Sequence, residues 1–574
     1  MYFAEDMEHG FYYYGNVEPY KGIFKDLVMD YTPKLIAVDT ETISLKERIP
    51  IGIGIALSPH IAFYFKLFPT VSPVVPLNLI KDTTITKIYH NSLFDLSALR
   101  EYEPDMSNIV DTNIISRLLC FRFNDLVGLS PTHLMEVHDA KEVMQEHNAD
   151  TMLDVPTEVV AKKCMQDCSA TYMVYNKLHQ QVDANYLAVE MAIIPICINM
   201  SNRGLKLDQT KRKQIELELT DWANYYRNIC DEVGFNPGSN QQVSYMLAKR
   251  GAYNVFHKLP FTNRKRTMLS TAEETLKKMN DPLATVVLQY REYAKLLSTY
   301  IEPWSHSDRA YTLFHLDAIT GRPSSTGAHT GIEYRNMQNV PGKFRKDGSA
   351  YPVNCRACFE PDSGMWTDVD WEQLEPKCLA YLSGDHEMAR IFAQPKRNPD
   401  GSRNPEGDIH LQVAMFMNIE RKLGKTINLA MTYGATDETL MEQSGIMNKS
   451  RVATLRYQWG NKFPEAMAWI ESRQEDALRT GIAKTVFGRS IRLPTLDEDS
   501  VDSIRRKAID YPCQGSAAEI LKRGLIRLKD LDLALQVHDE LLADGYAPED
   551  RFKVLEDIAP FRTTVEVRYL DRWE

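Results

Sequence analysis

Three short apolar runs mark the first 185 residues: LIAVDTET at 35–42, IGIGIAL at 51–57 and KIYHN at 87–91. Their length and composition predict strands. Around them, in FDLSALREY and in EVVAKKCMQDCSATYMVYNKL, apolar positions recur with helical spacing. Strands alternating with helices predict an α/β fold, a mixed sheet flanked by helices with its site at the strand ends.

From about residue 186 the pattern changes. AVEMAIIPICINMSNRGLKLD predicts a helix, a turn at Arg203-Gly204 and an extended piece. Helical periodicity fills 208–232 and 283–302, with a polar, Gly/Pro-containing region between them. A strand-rich part is expected from near Tyr311, a helical block over roughly 405–480, and strands again after 482. In LALQVHDELLADG, at 533–545, apolar residues run to Val537 and resume at Leu541, as in two strands joined by a tight bend. A hairpin bend favours Asn-Gly, yet this one carries His538, Asp539 and Glu540.

A chain of 574 residues exceeds one ordinary core, so two or more domains are expected. With 44% hydrophobic and 25% charged residues it has the composition of a soluble globular protein. No apolar stretch of membrane-span length stands out, and MYFAEDMEHG lacks the basic and then apolar regions of a signal peptide. The expectation is a cytoplasmic protein with no membrane partner. The net charge of −11 argues at first against a nucleic-acid partner. However, residues 1–185 carry −10 of it, and the remainder contains the basic clusters NRKR at 263–266 and RRK at 505–507. Local patches therefore decide. The nine cysteines include one CxxC, Cys355 to Cys358, without a second pair at zinc spacing, so reduced structural thiols are expected.

The acids change the picture further. Asp39 and Glu41 alternate at the end of a strand, so their side chains share a face and repel unless a cation lies between them. Asn91 and Asp95 open a helix after the third strand, and Asp167 lies in a later helix. Singly, such acids are helix caps or solvated charges. In the order DxE, NxxxD, D they resemble the DEDD-type 3′–5′ exonucleases, in which four acids hold two divalent ions. The resemblance implies that Asp39, Glu41, Asp95 and Asp167 bind two ions about 3.5–4 Å apart, which stabilise the attacking hydroxide and the leaving oxygen. Asp111 matches a further, supporting acid. The family's third motif has Tyr four residues before the last Asp, or His five before; this chain has Lys163 and Lys162 there. The ligands are kept and the residue that orients water is changed, so exonuclease activity is expected to be slower or arranged differently.

Asp370, in WTDVDWEQLEPKCLAYLSGD at 366–385, follows an apolar-leaning strand and precedes a helix. A buried, unpaired carboxylate is either protonated or bound to a cation. Asp539 poses the same question, and a shared Mg²⁺ would answer both. DVDWEQLEPK, RKLGKTINLAMTYG and QVHDELL, in that order, resemble motifs A, B and C of family A (polymerase I-like) DNA polymerases. TGRPSS (320–325) with NMQNVP (336–341) resembles the family's upstream palm motif, and RKAIDYPCQGSAAEI (506–520) its AIN-x-P-x-QG segment. The similarity covers nearly the whole chain.

That resemblance implies a ribonuclease H-like exonuclease domain over 1–185 and an α+β right-hand polymerase domain over 186–574. Within the latter it implies a helical thumb at about 186–310, an antiparallel-sheet palm at about 311–395 and 500–574, and helical fingers at about 396–499. No 5′ nuclease domain is expected, and the arrangement leans toward a bacteriophage replicase acting in viral DNA replication. Two Mg²⁺ ions, or Mn²⁺, would serve each active site, held in the polymerase by Asp370, Asp539 and the carbonyl of Trp371. Glu540 would tune that site and His538 would meet the primer terminus. Arg421, Lys425, Leu429 and Tyr433 recur every four residues, on one slowly rotating helix face. By resemblance they meet triphosphate, sugar and base, with Lys425 catalytic and His410 a further phosphate contact. Gln373 and Glu375 match motif A, Glu375 as the gate against a 2′-hydroxyl. Arg322, Gln338, Asn339, Arg506 and Gln514 would donate to DNA sugar, phosphate or minor-groove acceptors. NRKR would grip phosphates. Glu372, Lys377, Asp510 and Leu429 depart from the family's usual Ser, Arg, Asn and aromatic residue.

The implied substrates are dNTPs and primer–template DNA, acted on by a monomer, with a processivity factor or other replication proteins as further partners. An exonuclease whose C-terminal half only binds DNA would not need Asp370, Lys425 and Asp539. A single-subunit RNA polymerase is disfavoured by Glu375 and the exonuclease segment. A non-catalytic scaffold would not need six metal-type carboxylates in two clusters. Because Leu429 offers no ring to the sugar, Leu429→Phe is expected to change both the extension rate and the ddNTP/dNTP preference in primer extension; equal values for parent and variant would defeat this reading.

Overall fold

The structure is a computed structural model that describes residues 2–6, 11–15, 33–44, 48–67, 74–129, 138–256, 259–262, 268–326, 335–345 and 349–574. The NRKR cluster lies outside the described residues. A seven-stranded sheet is formed by β1 (Tyr2–Asp6), β2 (Phe11–Gly15), β3 (Leu35–Thr42), β4 (Pro50–Ser58), β5 (Ile61–Lys66), β6 (Thr86–Tyr89) and β7 (Ile109–Asp111). Their order is β1-β2-β5-β4-β3-β6-β7. β3 runs parallel to β6, and β6 to β7, while the other neighbours are antiparallel, so the sheet is mixed as expected. The expected strands are β3, β4 and β6. β7 is only three residues long, too short to show a period, and β5 follows β4 across a two-residue turn without a glycine.

The helix Thr157–Leu178 packs across β3, β4 and β5. A Cβ at Gly54 would lie 2.7 Å from both Cys164 Sγ and Cys168 Sγ. The glycines of IGIGIAL thus let this helix settle onto the sheet, which carries Lys163 and Asp167 toward β3.

The C-terminal part centres on a four-stranded antiparallel sheet, ordered Asp532–Val537, Glu540–Asp544, Trp366–Trp371, Val565–Leu570. The segment 506–520 lies within the 27-residue helix Val501–Arg527. A Cβ at Gly524 would stand 2.7 Å from Trp371 Cη2, so this helix backs directly onto the residue after Asp370. Helices Gln209–Val233 and Pro282–Tyr300 pack together on one side, and helices spanning 409–480 stand on another. All nine cysteines are free, and all but Cys120 are buried.

One expectation is corrected. The helix Ala184–Arg203 is long and apolar enough to cross a membrane by length and composition. Its surroundings give another reason for the apolarity: it packs against helices Ser92–Ala98, Thr112–Leu118 and Val501–Arg527. Its Ile193, Ile194 and Ile198 belong to one hydrophobic cluster with Ile36 and Val38 of β3 and with Trp366 and Val369 of the C-terminal sheet. The two halves therefore share a core through this helix.

Within that core Lys522 Nζ lies 2.7 and 2.6 Å from the two carboxylate oxygens of Glu190, and both side chains are almost fully shielded. Removing one partner of a buried pair strands the other charge, at a cost of about 3–5 kcal/mol. Glu190→Gln is expected to lose about that much stability in urea denaturation, and Glu190→Leu with Lys522→Met to recover most of it.

Candidate polymerase and exonuclease centres

Asp370 is the fifth residue of the strand Trp366–Trp371, where the ladder sets it opposite Glu540. The N–H of Trp371 donates to the carbonyl of Asp539 at 3.0 Å. Asp370 and Asp539, far apart in the chain, are thereby neighbours. The bend is tighter than the sequence implied: Val537 pairs with Glu540, so only His538 and Asp539 turn and Glu540 opens the next strand. His538 has φ +58°, a left-handed conformation costly for a residue with a side chain. Hydrogen bonds hold it there, from Arg322 to its ring and from Gln536 Nε2 to its carbonyl at 2.6 Å.

Burial, then the charges of Asp539, Glu540 and Asp368, push Asp370 up to about 8. Asp539 is raised as well, first by burial, with Glu375 and Glu540 adding to it. Glu540 is turned toward other partners: Arg356 Nη1 lies 3.1 Å from its Oε2, and Trp573 Nε1 donates to its Oε1 at 2.9 Å. Asp368 was overlooked in the sequence. It is fully buried beside Arg568, is raised to about 7 by burial and then Glu540, and its Oδ1 has no hydrogen-bond partner among the described residues. The alternation that paired Asp39 with Glu41 also pairs Asp368 with Asp370 and would have found it.

Arg322, Glu375, Gln514, His538 and Asp539 line one small cavity. Gln338 reaches it through Gln536, donating to that residue's Oε1 at 2.9 Å. Tyr433, at the end of helix Arg421–Thr432, donates its hydroxyl to Glu375 Oε2 at 2.5 Å. Gln514 Nε2 donates to Asp510 Oδ1 at 2.8 Å, and Asp510 is raised to about 6 by burial and then Glu375. Gln373, half-buried with φ +53°, precedes the helix that carries Glu375. Glu372 and Lys377 are linked through Thr564, whose hydroxyl oxygen accepts from Lys377 Nζ at 2.6 Å and donates to Glu372 at 3.0 Å.

Beyond this cavity Arg421 is 2.8 Å from Asp408 Oδ2, and Leu429 is half-buried. His410 is nearly buried, with Nδ1 3.4 Å from Asn428 Nδ2. Burial, and then the charges of Arg421, Lys425 and Lys396 against that of Asp408, lowers His410 to about 4, so its ring is neutral amid cations. Arg506 and Asn339 line other cavities. Arg506 is exposed and lines a cavity of about 310 Å³ with Thr436 and Arg456, whereas Asn339 lines one of about 520 Å³ with Lys277, Arg291 and Lys295.

The second cluster sits on β3. Asp95 Oδ1 accepts from both N–H and hydroxyl of Thr40, at 3.0 and 2.8 Å, which fixes Asp95 between Asp39 and Glu41 along the strand. Cys164 Sγ is 3.2 Å from Asp39 Oδ2. Lys163 Nζ is 2.7 Å from Glu41 Oε1 and 2.7 Å from Asp167 Oδ2, whereas Lys162 is exposed. Burial raises Asp95 to about 8 against the Thr40 hydrogen bonds. Asp39 is raised well above the carboxylate range by burial, then by Asp167, Asp95 and Glu41. Burial opposes the Lys163 ammonium, yet Asp167, Glu41 and Asp39 together hold its proton tightly. Asp111 does structural work: its carboxylate accepts from the N–H groups of Asn91, Ser92, Asn113 and Ile114 and from the Ser92 hydroxyl, fixing the helix that presents Asp95.

The N-terminal cluster offers a divalent cation its ligands at close range, and the buried, raised acids Asp370 and Asp539 of the C-terminal sheet offer oxygen donors. Asp39, Glu41 and Cys164 offer ligand atoms within 4.8 Å of one another. Asp167 Oδ1 is buried with no hydrogen-bond partner among the described residues. Oxygen-rich donor sets of this kind suit Mg²⁺ and Mn²⁺.

An antiparallel sheet carrying paired aspartates, flanked by helical lobes and preceded by a mixed sheet with a second acid cluster, defines a polymerase-type architecture joined to a nuclease-type one. Residues 206–560 match the family model described as DNA polymerase family A, and the chain belongs to that family. Residues 23–183 match the model described as 3′-5′ exonuclease. The thermostable DNA polymerase I of Thermus aquaticus is 29% identical over 419 residues, covering 67% of this chain and 47% of that protein. DNA polymerase I of Synechocystis is 27% identical over 608 residues, covering 92% and 57%. The chain thus spans about half the length of the curated relatives it matches. The solved POL domain of Pol1 from M. smegmatis, in complex with DNA primer-template and dNTP, aligns with a TM-score of 0.75 at 19% identity, over 97% of this chain and 99% of that one. At that identity the likeness establishes the shared fold.

Acids whose folded pKa is raised favour the folded state at low pH, and that contribution is lost as pH climbs toward the folded value. For Asp370 and Asp95 this window ends at about 8. In chelator, the melting temperature is expected to fall between weakly acidic pH and pH about 8, and saturating Mg²⁺ to restore more of it at the upper end. Equal Mg²⁺ gains at both ends, read by scanning fluorimetry, would contradict this.

Proposed function

We propose that the chain is a template-directed, DNA-dependent DNA polymerase that extends a primer 3′ end with dNTPs and trims it at a separate 3′–5′ exonuclease centre. The observation that carries this reading is the junction of Asp370 and Asp539, one on the central strand and one in the hairpin bend beside it. Membership of family A supports it.

Bound Mg²⁺ or Mn²⁺ supplies charge at both ends of the in-line displacement, lowering the pKa of the attacking oxygen and stabilising the leaving one. Asp370 and Asp539, with the Trp371 carbonyl, hold the polymerase ions, and Glu540 shapes the field while bonded to Arg356. Arg421 and Lys425 meet the triphosphate, with Arg421 exchanging Asp408 for phosphate oxygens. Leu429 and Tyr433 border sugar and base, and the Tyr433–Glu375 hydrogen bond stiffens the wall that excludes a 2′-hydroxyl. His538 and Arg322 position the primer end, Gln338 and Gln514 the base pair behind it, and Arg506 and Asn339 contact the flanking DNA. Asp39, Glu41, Asp95 and Asp167 form the trimming centre. The protein acts as a monomer on primer–template DNA, in the cytoplasm, with a processivity factor or other replication proteins as further partners. A replicase role of bacteriophage type extends this reading, resting on Leu429 and on both activities being joined in one chain.

A primer–template assay with Mg²⁺ and dNTPs, rNTPs or no nucleotide tests it. Extension with dNTPs alone, and trimming without nucleotide, are expected. Asp370→Asn should lower extension by more than about a hundredfold, since even outer partners of a metal are worth 10–100-fold, and leave trimming intact; Asp39→Asn should do the reverse. Trimming by the parent without any extension would reduce the function to an exonuclease with a DNA-binding C-terminal half.

A further inference from the structure

The exonuclease centre contains a charge that a two-ion arrangement does not use. Lys163 lies one helical turn before Asp167 on Thr157–Leu178 and reaches across to β3. Its Nζ bridges Glu41 Oε1 and Asp167 Oδ2 at 2.7 Å each, joining the strand to the helix. The three side chains are 11%, 6% and 10% exposed, so water does little to screen them. Asp39 stands to one side with the Cys164 thiol, and Asp95 is held by Thr40.

A divalent ion bridging Glu41 and Asp167 would sit about 2.1 Å from the same oxygens that the ammonium now touches, and the two cations would crowd and repel. The lysine is tethered, so it competes at a high effective concentration. Asp39 and Glu41, with Cys164, still offer ligand atoms within 4.8 Å of one another. We propose that Lys163 is a built-in counter-cation that replaces one of two divalent ions, so that the exonuclease centre binds a single Mg²⁺ or Mn²⁺ through Asp39 and Glu41. This deepens the exonuclease reading above and rests on it.

Counting bound Mn²⁺ on the full chain, from the electron paramagnetic resonance of the free ion, tests the proposal. The polymerase centre is unchanged between parent and variant, so it cancels. Lys163→Met is expected to bind one more Mn²⁺ per chain than the parent, and Lys163→Arg, which keeps a cation, to match the parent. Metal-free Lys163→Met should melt lower than the parent and gain more from Mn²⁺, whereas a purely structural ion pair would lower the melting temperature without altering the count. Equal counts for parent and Lys163→Met overturn the proposal. Should that variant fail to fold, Asp370→Asn/Asp539→Asn with Lys163 intact must bind one Mn²⁺, and two would overturn it. Unequal counts with no primer trimming by parent or variant would sink the exonuclease reading alone; trimming with equal counts would sink only the counter-cation.

Discussion

Carboxylates that repel one another are held together in two shielded places, and much of the chain is arranged around that constraint. Asp370, Asp539, Glu540 and Asp368 crowd one end of the C-terminal sheet, and Asp39, Glu41, Asp95 and Asp167 one end of the N-terminal sheet. Burial removes the water that would screen them, so each cluster stores a demand for positive charge. Part of that demand is met by protein cations: Arg568 beside Asp368, Arg356 beside Glu540, Lys163 between Glu41 and Asp167. What protein cations leave unmet defines where metal ions are drawn.

Holding such clusters requires a rigid frame. Glycines provide close approach at the two decisive contacts, Gly54 beneath the Asp167 helix and Gly524 behind Trp371. Asp111 caps the helix of Asp95, and a left-handed His538 is pinned by Arg322 and Gln536. The helix Ala184–Arg203 then welds both sheets to one core, with its only buried carboxylate neutralised by Lys522. Strain and charge at the sites are thus balanced by packing and pairing elsewhere.

The two centres answer their charge differently. In the N-terminal cluster an ammonium already lies between two acids, whereas Asp370 and Asp539 are joined through backbone hydrogen bonding and Asp539 lines a cavity with Glu375, Arg322 and His538. Both are partly neutralised in advance, the N-terminal one by a lysine between two of its acids and the C-terminal one by arginines beside Asp368 and Glu540. Helices Ile409–Met417 and Arg421–Thr432 repeat the theme with opposite sign: a neutral His410 among Arg421, Lys425 and Lys396, with Asp408 occupying Arg421.

The amino-acid sequence by itself determined the strands β3, β4 and β6, the long helices, the hairpin near 538 and the acids of both clusters, because short-range periodicity and residue type fix those features. The short β7, the apolar helix Ala184–Arg203 serving as a shared core and the capping work of Asp111 emerged only with the fold. So did the placing of Arg506 and Asn339 in cavities other than that of Arg322, Gln514 and His538, and the seat of Lys163, which the sequence marks only as a departure. Each depends on which distant segments meet, and pairing across a sheet or through a helix face is set by total packing and charge balance, to which no local window of residues has access.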